Sequence, residues 1–124
     1  MFDTLANIQV APNIEKRKKV IYIAGPYRAP TQHQVYQNIQ NARQAAADVW
    51  QAGYVALCPH TNSLLMSGIV PEEEFFQEDI ELLQRCDAVL MVEGWEASSS
   101  ARSERQHALN CLIPVFYSLE ELDL

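Results

Sequence analysis

Nowhere in its 124 residues does this chain carry an apolar run of the roughly 18 to 20 residues that a bilayer-spanning helix needs. Its amino-terminus also lacks a charged stretch followed by a hydrophobic signal core. No membrane partner is expected. Cysteine is scarce and unpaired: Cys58, Cys86 and Cys111 are odd in number, widely spaced and without a CxxC pair, which argues against a disulfide framework and against a zinc site. His33, His60 and His107 show no metal-ligand spacing either. Free thiols fit a reducing cytoplasm, the expected location, and neither a metal nor a cofactor is implied. Basic residues are in deficit, with 9 Lys and Arg against 16 Asp and Glu and a formal charge of -7. That is the wrong sign for a protein that coats a nucleic-acid polymer. A small anion is still allowed, because a helix amino-terminus or one arginine acts over a short distance.

What is present reads as one domain. A 48% hydrophobic, 20% charged composition is ordinary for a globular unit large enough to bury its own core, and there is no repeat, low-complexity tract or internal linker. Residues 1–18 form an amino-terminal arm whose basic run, Glu15-Lys16-Arg17-Lys18-Lys19, reads as a solvated strand entrance. The domain proper occupies residues 19–124.

Val20-Ile21-Tyr22-Ile23-Ala24 is a first buried strand, broken by Gly25-Pro26-Tyr27. Val35, Ile39, Ala42, Ala46 and Val49 then recur at steps of four and three, one face of a helix that Gly53 ends. Tyr54-Val55-Ala56-Leu57 is a second strand, stopped by Cys58-Pro59-His60. A βαβ unit of this kind is right-handed and parallel, so both strands open on the same edge of the sheet. A short helix is expected around Asn62 to Ser67. Pro71 and the acidic turn Glu72-Glu73-Glu74 start a longer one. Ala88 to Val92 is the third strand, a helix runs from Ser98 to about Asn110, and Ile113 to Phe116 is a last strand before a short terminal helix at Ser118 to Glu121. The fold class is α/β: a flavodoxin-like or Rossmann-like parallel sheet of four to five strands with helices on both faces.

Several polar residues stand where packing alone does not explain them. Asp79 has Phe75, Phe76, Leu82 and Leu83 as its helical neighbours. A carboxylate on an apolar stripe points into a polar pocket, meets a hydrogen-bonding partner, or reaches water from the stripe edge, and burial raises its pKa. Glu104 shares a helix face with Ala101 and Ala108. A capping box fails on register, since residue 101 is alanine; an acid near the helix start is favoured by the dipole, which lowers its pKa and suits an ionised nucleophile. Tyr22 sits in an aliphatic strand, where its phenol needs a partner if buried. Arg28 follows the first strand on the edge where anions collect. His60 reads as a loop-fixing hydrogen-bonder, and His33 and His107 as surface residues.

Tyr22-Ile23-Ala24-Gly25-Pro26-Tyr27-Arg28, then Gly53, Pro59-His60, Asp79, Cys86-Asp87-Ala88, and Ser98 with Glu104 six residues on, resemble the nucleoside 2-deoxyribosyltransferase-like superfamily. The resemblance spans residues 20 to about 117 and is closest to small phage and bacterial domains of unknown function that open with YxAGPY and carry a GWxxS...AxxE block. It implies cleavage or transfer at an N-glycosidic bond, with Glu104 as nucleophile, Tyr22 orienting it and Asp79 on the base side. It also implies substrate contacts from Gly25, Tyr27, Arg28, Ser98 and Ser100. Arginine at position 28, and serine rather than aspartate at 98, resemble the branch that acts on (deoxy)nucleoside 5'-monophosphates. Ser100 departs from the pattern, which has glycine there. The partners implied are a nucleotide or nucleoside and further copies of the chain, as a homodimer or larger homo-oligomer. The alternative is a catalytically silent protein that senses or sequesters a nucleotide.

Overall fold

The central strand, β1 (Val20–Ala24), is buried from Ile21 onward and pairs on both sides. In the computed structural model, which describes residues 17–124, β1 is followed by α1 (Gln32–Gln51), β2 (Val55–Leu57), α2 (Pro59–Asn62), α3 (Glu72–Gln84), β3 (Ala88–Met91), α4 (Ser99–Asn110) and β4 (Val115–Phe116). All but the last two residues of the arm expected at 1–18 lie outside the described residues. The strand order is β2-β1-β3-β4 and every pairing is parallel. This is the flavodoxin-like arrangement, in which the chain reverses direction across the sheet between β1 and β3 and leaves a crevice at their carboxyl ends.

Alternation along β1 and β3 divides the core. Ile21, Ile23, Ala88 and Leu90 face Ala42 and Val49 of α1, whereas Tyr22, Ala24, Val89 and Met91 face Leu83 of α3 and Ala101 and Ala108 of α4. Helices therefore cover both faces. The residues of α1 that reach full burial, Ala42 and Val49, belong to the stripe read from the sequence, and Thr31 caps the helix by accepting from the Gln34 amide at 3.1 Å. At the opposite end of the strands, Asp87 accepts from the Val20 amide at 2.7 Å and its own amide donates to the Val20 carbonyl at 2.8 Å. The entrances of β1 and β3 are thereby locked in register.

Two local expectations are corrected. The short helix forms at Pro59–Asn62 rather than around Asn62 to Ser67, because Pro59 at the first helical position starts the turn earlier. Residues 63–66 continue as hydrogen-bonded turns, with Leu65 at φ 66° and almost wholly exposed. A 3₁₀ turn at Trp95–Ala97, with no counterpart in the sequence reading, follows Gly94 at φ 91°. At the far end of α4 the chain turns through the exposed Cys111 and through Leu112, φ 59°, into β4.

Gly25 shows how tightly the crevice floor is built. A Cβ on it would lie 2.7 Å from the Val92 Cβ, a branch atom held by the end of β3 and unable to rotate away. Gly25→Ala should therefore cost about 1–3 kcal/mol of folding stability, read as a lowered urea midpoint; an unchanged midpoint would mean that the β1 and β3 ends separate freely.

Candidate active site

Glu104 is 7% exposed and lies on the buried face of α4 with Ala101 and Ala108. Its Oε2 accepts a short hydrogen bond from the Tyr22 hydroxyl, across 82 residues of sequence. α4 thus supplies the partner that the buried phenol needs, and the phenol supplies the one that the carboxylate needs. Tyr22 is held far above the ordinary tyrosine range by burial first, and then by the negative charges of Glu104 and Asp79. It is a permanent donor.

Above this pair opens a cleft of about 770 Å³. Gly25, Tyr27 and Arg28 from the loop after β1 line it, with Pro59 and His60 of α2, Asp79 of α3, and Ser98, Ser100 and Glu104 at the start of α4. Every site residue read from the sequence lines this space except Tyr22, which lies fully buried. The sequence reading missed Ser63, Leu65 and Ser67 on the rim, Glu72, Glu73 and Phe75 of α3, and Ser99 and Ser103 of α4. The acidic turn at 72–74 was noticed only as a helix start, and the rim offered no periodicity to read.

Local hydrogen bonds hold the cleft walls. Ser98 is the N-cap of α4; its Oγ accepts from the Ala101 amide at 3.2 Å and lies 3.3 Å from the Ser100 Oγ. The 3₁₀ turn before it is held to α4 by two arginines. Arg102 donates to the Glu96 carbonyl at 2.7 Å, and the Arg105 guanidinium lies over the Trp95 ring, 5.2 Å from its centroid, while donating to the Tyr117 hydroxyl at 2.8 Å. Across the cleft, His60 Nε2 donates to the Pro26 carbonyl at 2.8 Å and its ring meets Tyr27 edge to face at 5.3 Å. Burial lowers the His60 pKa below 6.5 against the opposing pull of the Pro26 and Gly25 carbonyls. A neutral imidazole fixing the loop suits that position. Of the other histidines, His33 is exposed, and His107 is half-buried with its Nε2 2.7 Å from Gln84 Nε2.

The expected charge state of Glu104 is corrected. Ser98 is the cap and Ser99 the first helical residue, so Glu104 stands in the second turn, beyond the reach of the dipole. Burial dominates and pushes its pKa up to about 7, with the Tyr22 hydrogen bond pulling down and Asp79 pushing up. Asp79 is half-buried and is raised to about 6 by burial and then by Glu78. Both acids therefore titrate near neutrality, Glu104 at the higher value. Cys86, packed with Tyr22 in the same core layer, is no rival nucleophile: burial, and then Asp87, hold its thiol at about 11. No cluster of residues suited to a metal ion occurs among the described residues, and no helix there is long and apolar enough to cross a membrane.

The family model described as a domain of unknown function (DUF4406) matches residues 19–117. No curated protein matches the chain. Among solved structures the chain is similar to the 2-deoxyribosyltransferase of the psychrotolerant bacterium Bacillus psychrosaccharolyticus, with a TM-score of 0.57 and 18% identity over 77% of this chain and 69% of that one. At this identity the likeness establishes a common fold. The superfamily resemblance read from the sequence holds at that level.

Because Glu104 binds its proton more tightly folded, at about 7, than at the ordinary 4.5, its contribution to stability is full below 4.5 and is lost as pH rises through 7. Glu104→Gln keeps an acceptor for Tyr22 and removes the buried charge. At about pH 8 it should be more stable than the parent by on the order of 1–3 kcal/mol, with a flatter dependence of Tm on pH. A less stable variant at that pH would show that the carboxylate is well solvated after all.

Proposed function

The chain belongs to the DUF4406 family, and we propose that it cleaves or transfers at the N-glycosidic bond of a (deoxy)nucleoside 5'-monophosphate through Glu104. One observation carries the reading: a buried carboxylate, oriented by a buried phenol, forms the floor of a cleft that Asp79 and Arg28 also line. A carboxylate that can attack, a second that can give up a proton and a guanidinium for an anion make up a division of labour known from retaining glycoside chemistry. The 2-deoxyribosyltransferase of like fold adds a scaffold that hosts such chemistry, which by itself does not fix function.

In this reading a Glu104 oxygen attacks the anomeric carbon as the glycosidic C–N bond breaks, giving a glycosyl ester on the enzyme. The bonding pair leaves with the base, and Asp79 supplies its proton. Water or a second base then takes the sugar, returning Glu104 to its carboxylate and a proton to Asp79. Tyr22 holds one carboxylate oxygen so that the other is free to attack. A buried anion whose pKa stands near 7 is poorly solvated, and positive charge developing on the sugar stabilises it most at the transition state. Arg28 and Ser98 take the phosphate end.

Incubation with a panel of nucleoside 5'-monophosphates should release free base, and Glu104→Ala should abolish the release. Tight saturable binding with no base released supports the silent nucleotide-binding protein instead. Arg28→Ala should weaken binding of a monophosphate about five- to tenfold, with little change for the matching nucleoside; equal losses for the two would remove the phosphate from Arg28.

The pH profile is a separate check. Glu104 must be ionised and Asp79 protonated, yet their values are about 7 and about 6, so the active arrangement is a minority form. A plot of kcat/KM against pH should be a bell with its maximum between those two values, its limbs belonging to the pair rather than to either acid. A rate that climbs steadily to ~pH 9 would take the proton-donor role from Asp79.

A further inference from the structure

Among the described residues that line the cleft Arg28 is the one lysine or arginine, and it is already occupied. Its Nη2 lies 2.9 Å from Glu72 Oε2. The two side chains reach each other from separate elements, Arg28 from the loop after β1 and Glu72 from the first turn of α3, and both border the cleft. Glu73, Asp79 and Glu104 line the same space, and no second lysine or arginine among the described residues shares the load. Both partners are largely exposed, at 75% and 72%. A pair this wet is weak, and a dianionic ligand can displace one side of it.

We propose that Glu72 is an internal competitor for Arg28 and thereby sets how strongly the cleft prefers a phosphorylated ligand over its unphosphorylated counterpart. The inference rests on the reading of the cleft as a nucleotide site. A 5'-phosphate reaching Arg28 must displace the Glu72 carboxylate or bind beside it, and either course costs part of the attraction that the guanidinium offers. A nucleoside needs neither. Glu72 is a specificity determinant that opposes the ligand's charge, and removing its own charge should improve binding.

The test is a double-mutant cycle read by titration calorimetry, with nucleoside 5'-monophosphates, the matching nucleosides and inorganic phosphate as probes. Glu72→Gln should bind monophosphate and inorganic phosphate about two- to fivefold more tightly than the parent, the range set by a weak exposed ion pair, and should leave nucleoside binding unchanged. Glu72→Asp, which keeps the charge, should behave as the parent; this separates charge from any effect on the α3 start, and circular dichroism confirms that each variant folds. In an Arg28→Ala background the gain from Glu72→Gln should largely vanish. A gain that persists undiminished there would mean simple repulsion of the anion, and would overturn competition for Arg28. Unchanged or weaker phosphate binding in Glu72→Gln, with Arg28→Ala still selectively impaired, overturns the inference while leaving the nucleotide reading intact. If Arg28→Ala weakens monophosphate and nucleoside alike, both fall together.

Discussion

The hydrogen bond from Tyr22 to Glu104 is the constraint around which the site is arranged. It joins the central strand to α4 in the interior, where an unpaired phenol or carboxylate would each cost several kcal/mol. Satisfying both at once allows two polar groups to lie in a layer otherwise made of Ala24, Leu83, Cys86, Val89, Met91, Ala101 and Ala108. The small residues matter as much as the polar ones. Ala101 and Ala108 let α4 approach the sheet closely enough for a glutamate between them to reach a strand tyrosine, and Gly25 lets the end of β3 close over the end of β1. The cleft floor is therefore rigid because it is packed, and polar only where the pair lies.

Around that floor the charges are uneven. Glu72, Glu73, Asp79 and Glu104 line the cleft together with Arg28, whose guanidinium Glu72 already holds. Among the described lining residues Arg28 is the one fixed cation for an anion, and the acids favour positive charge where it develops. The walls are held apart from these acids: by a neutral His60 on the Pro26 carbonyl on one side, and on the other by Ser98 at the α4 cap, behind which Arg102 and Arg105 grip the 3₁₀ turn. Stabilising the walls through backbone carbonyls and aromatic faces leaves the acids free to respond to the ligand.

Much of this was legible because it is local. The stripe on α1, the β-strand composition of 20–24 and 88–91, Pro71 before an acidic turn, and Ser98 as a helix start all follow from spacing and capping, and each element formed within a few residues of where those signals lie. The site residues were gathered by the superfamily resemblance; parallel topology accounts only for the loops after β1 and β3 meeting at one edge. What could not be read depends on distance in space. The partner of Tyr22 is 82 residues away and was implied only by the superfamily resemblance, and Glu72 reaches Arg28 from an element whose packing angle no periodicity encodes. The charge state of Glu104 was misjudged for a related reason: a dipole argument needs only the chain, whereas the burial that outweighs it needs the fold. The 3₁₀ turn at Trp95–Ala97 also escaped, since its holding contacts come from Arg102 and Arg105 in the following helix.

The turn at the far end of α4 has a practical side. Parallel topology puts the loops that precede the strands on the rim opposite the cleft, and Cys111 lies there, exposed, while Cys58 and Cys86 are buried. Under native conditions that thiol is the one accessible to a maleimide among the described residues. A dye or spin label attached to it would sit two helical turns beyond Glu104, about 10 Å along α4. The chain thus carries a natural anchor for a reporter or a solid support, placed where immobilisation leaves the opposite edge facing solution.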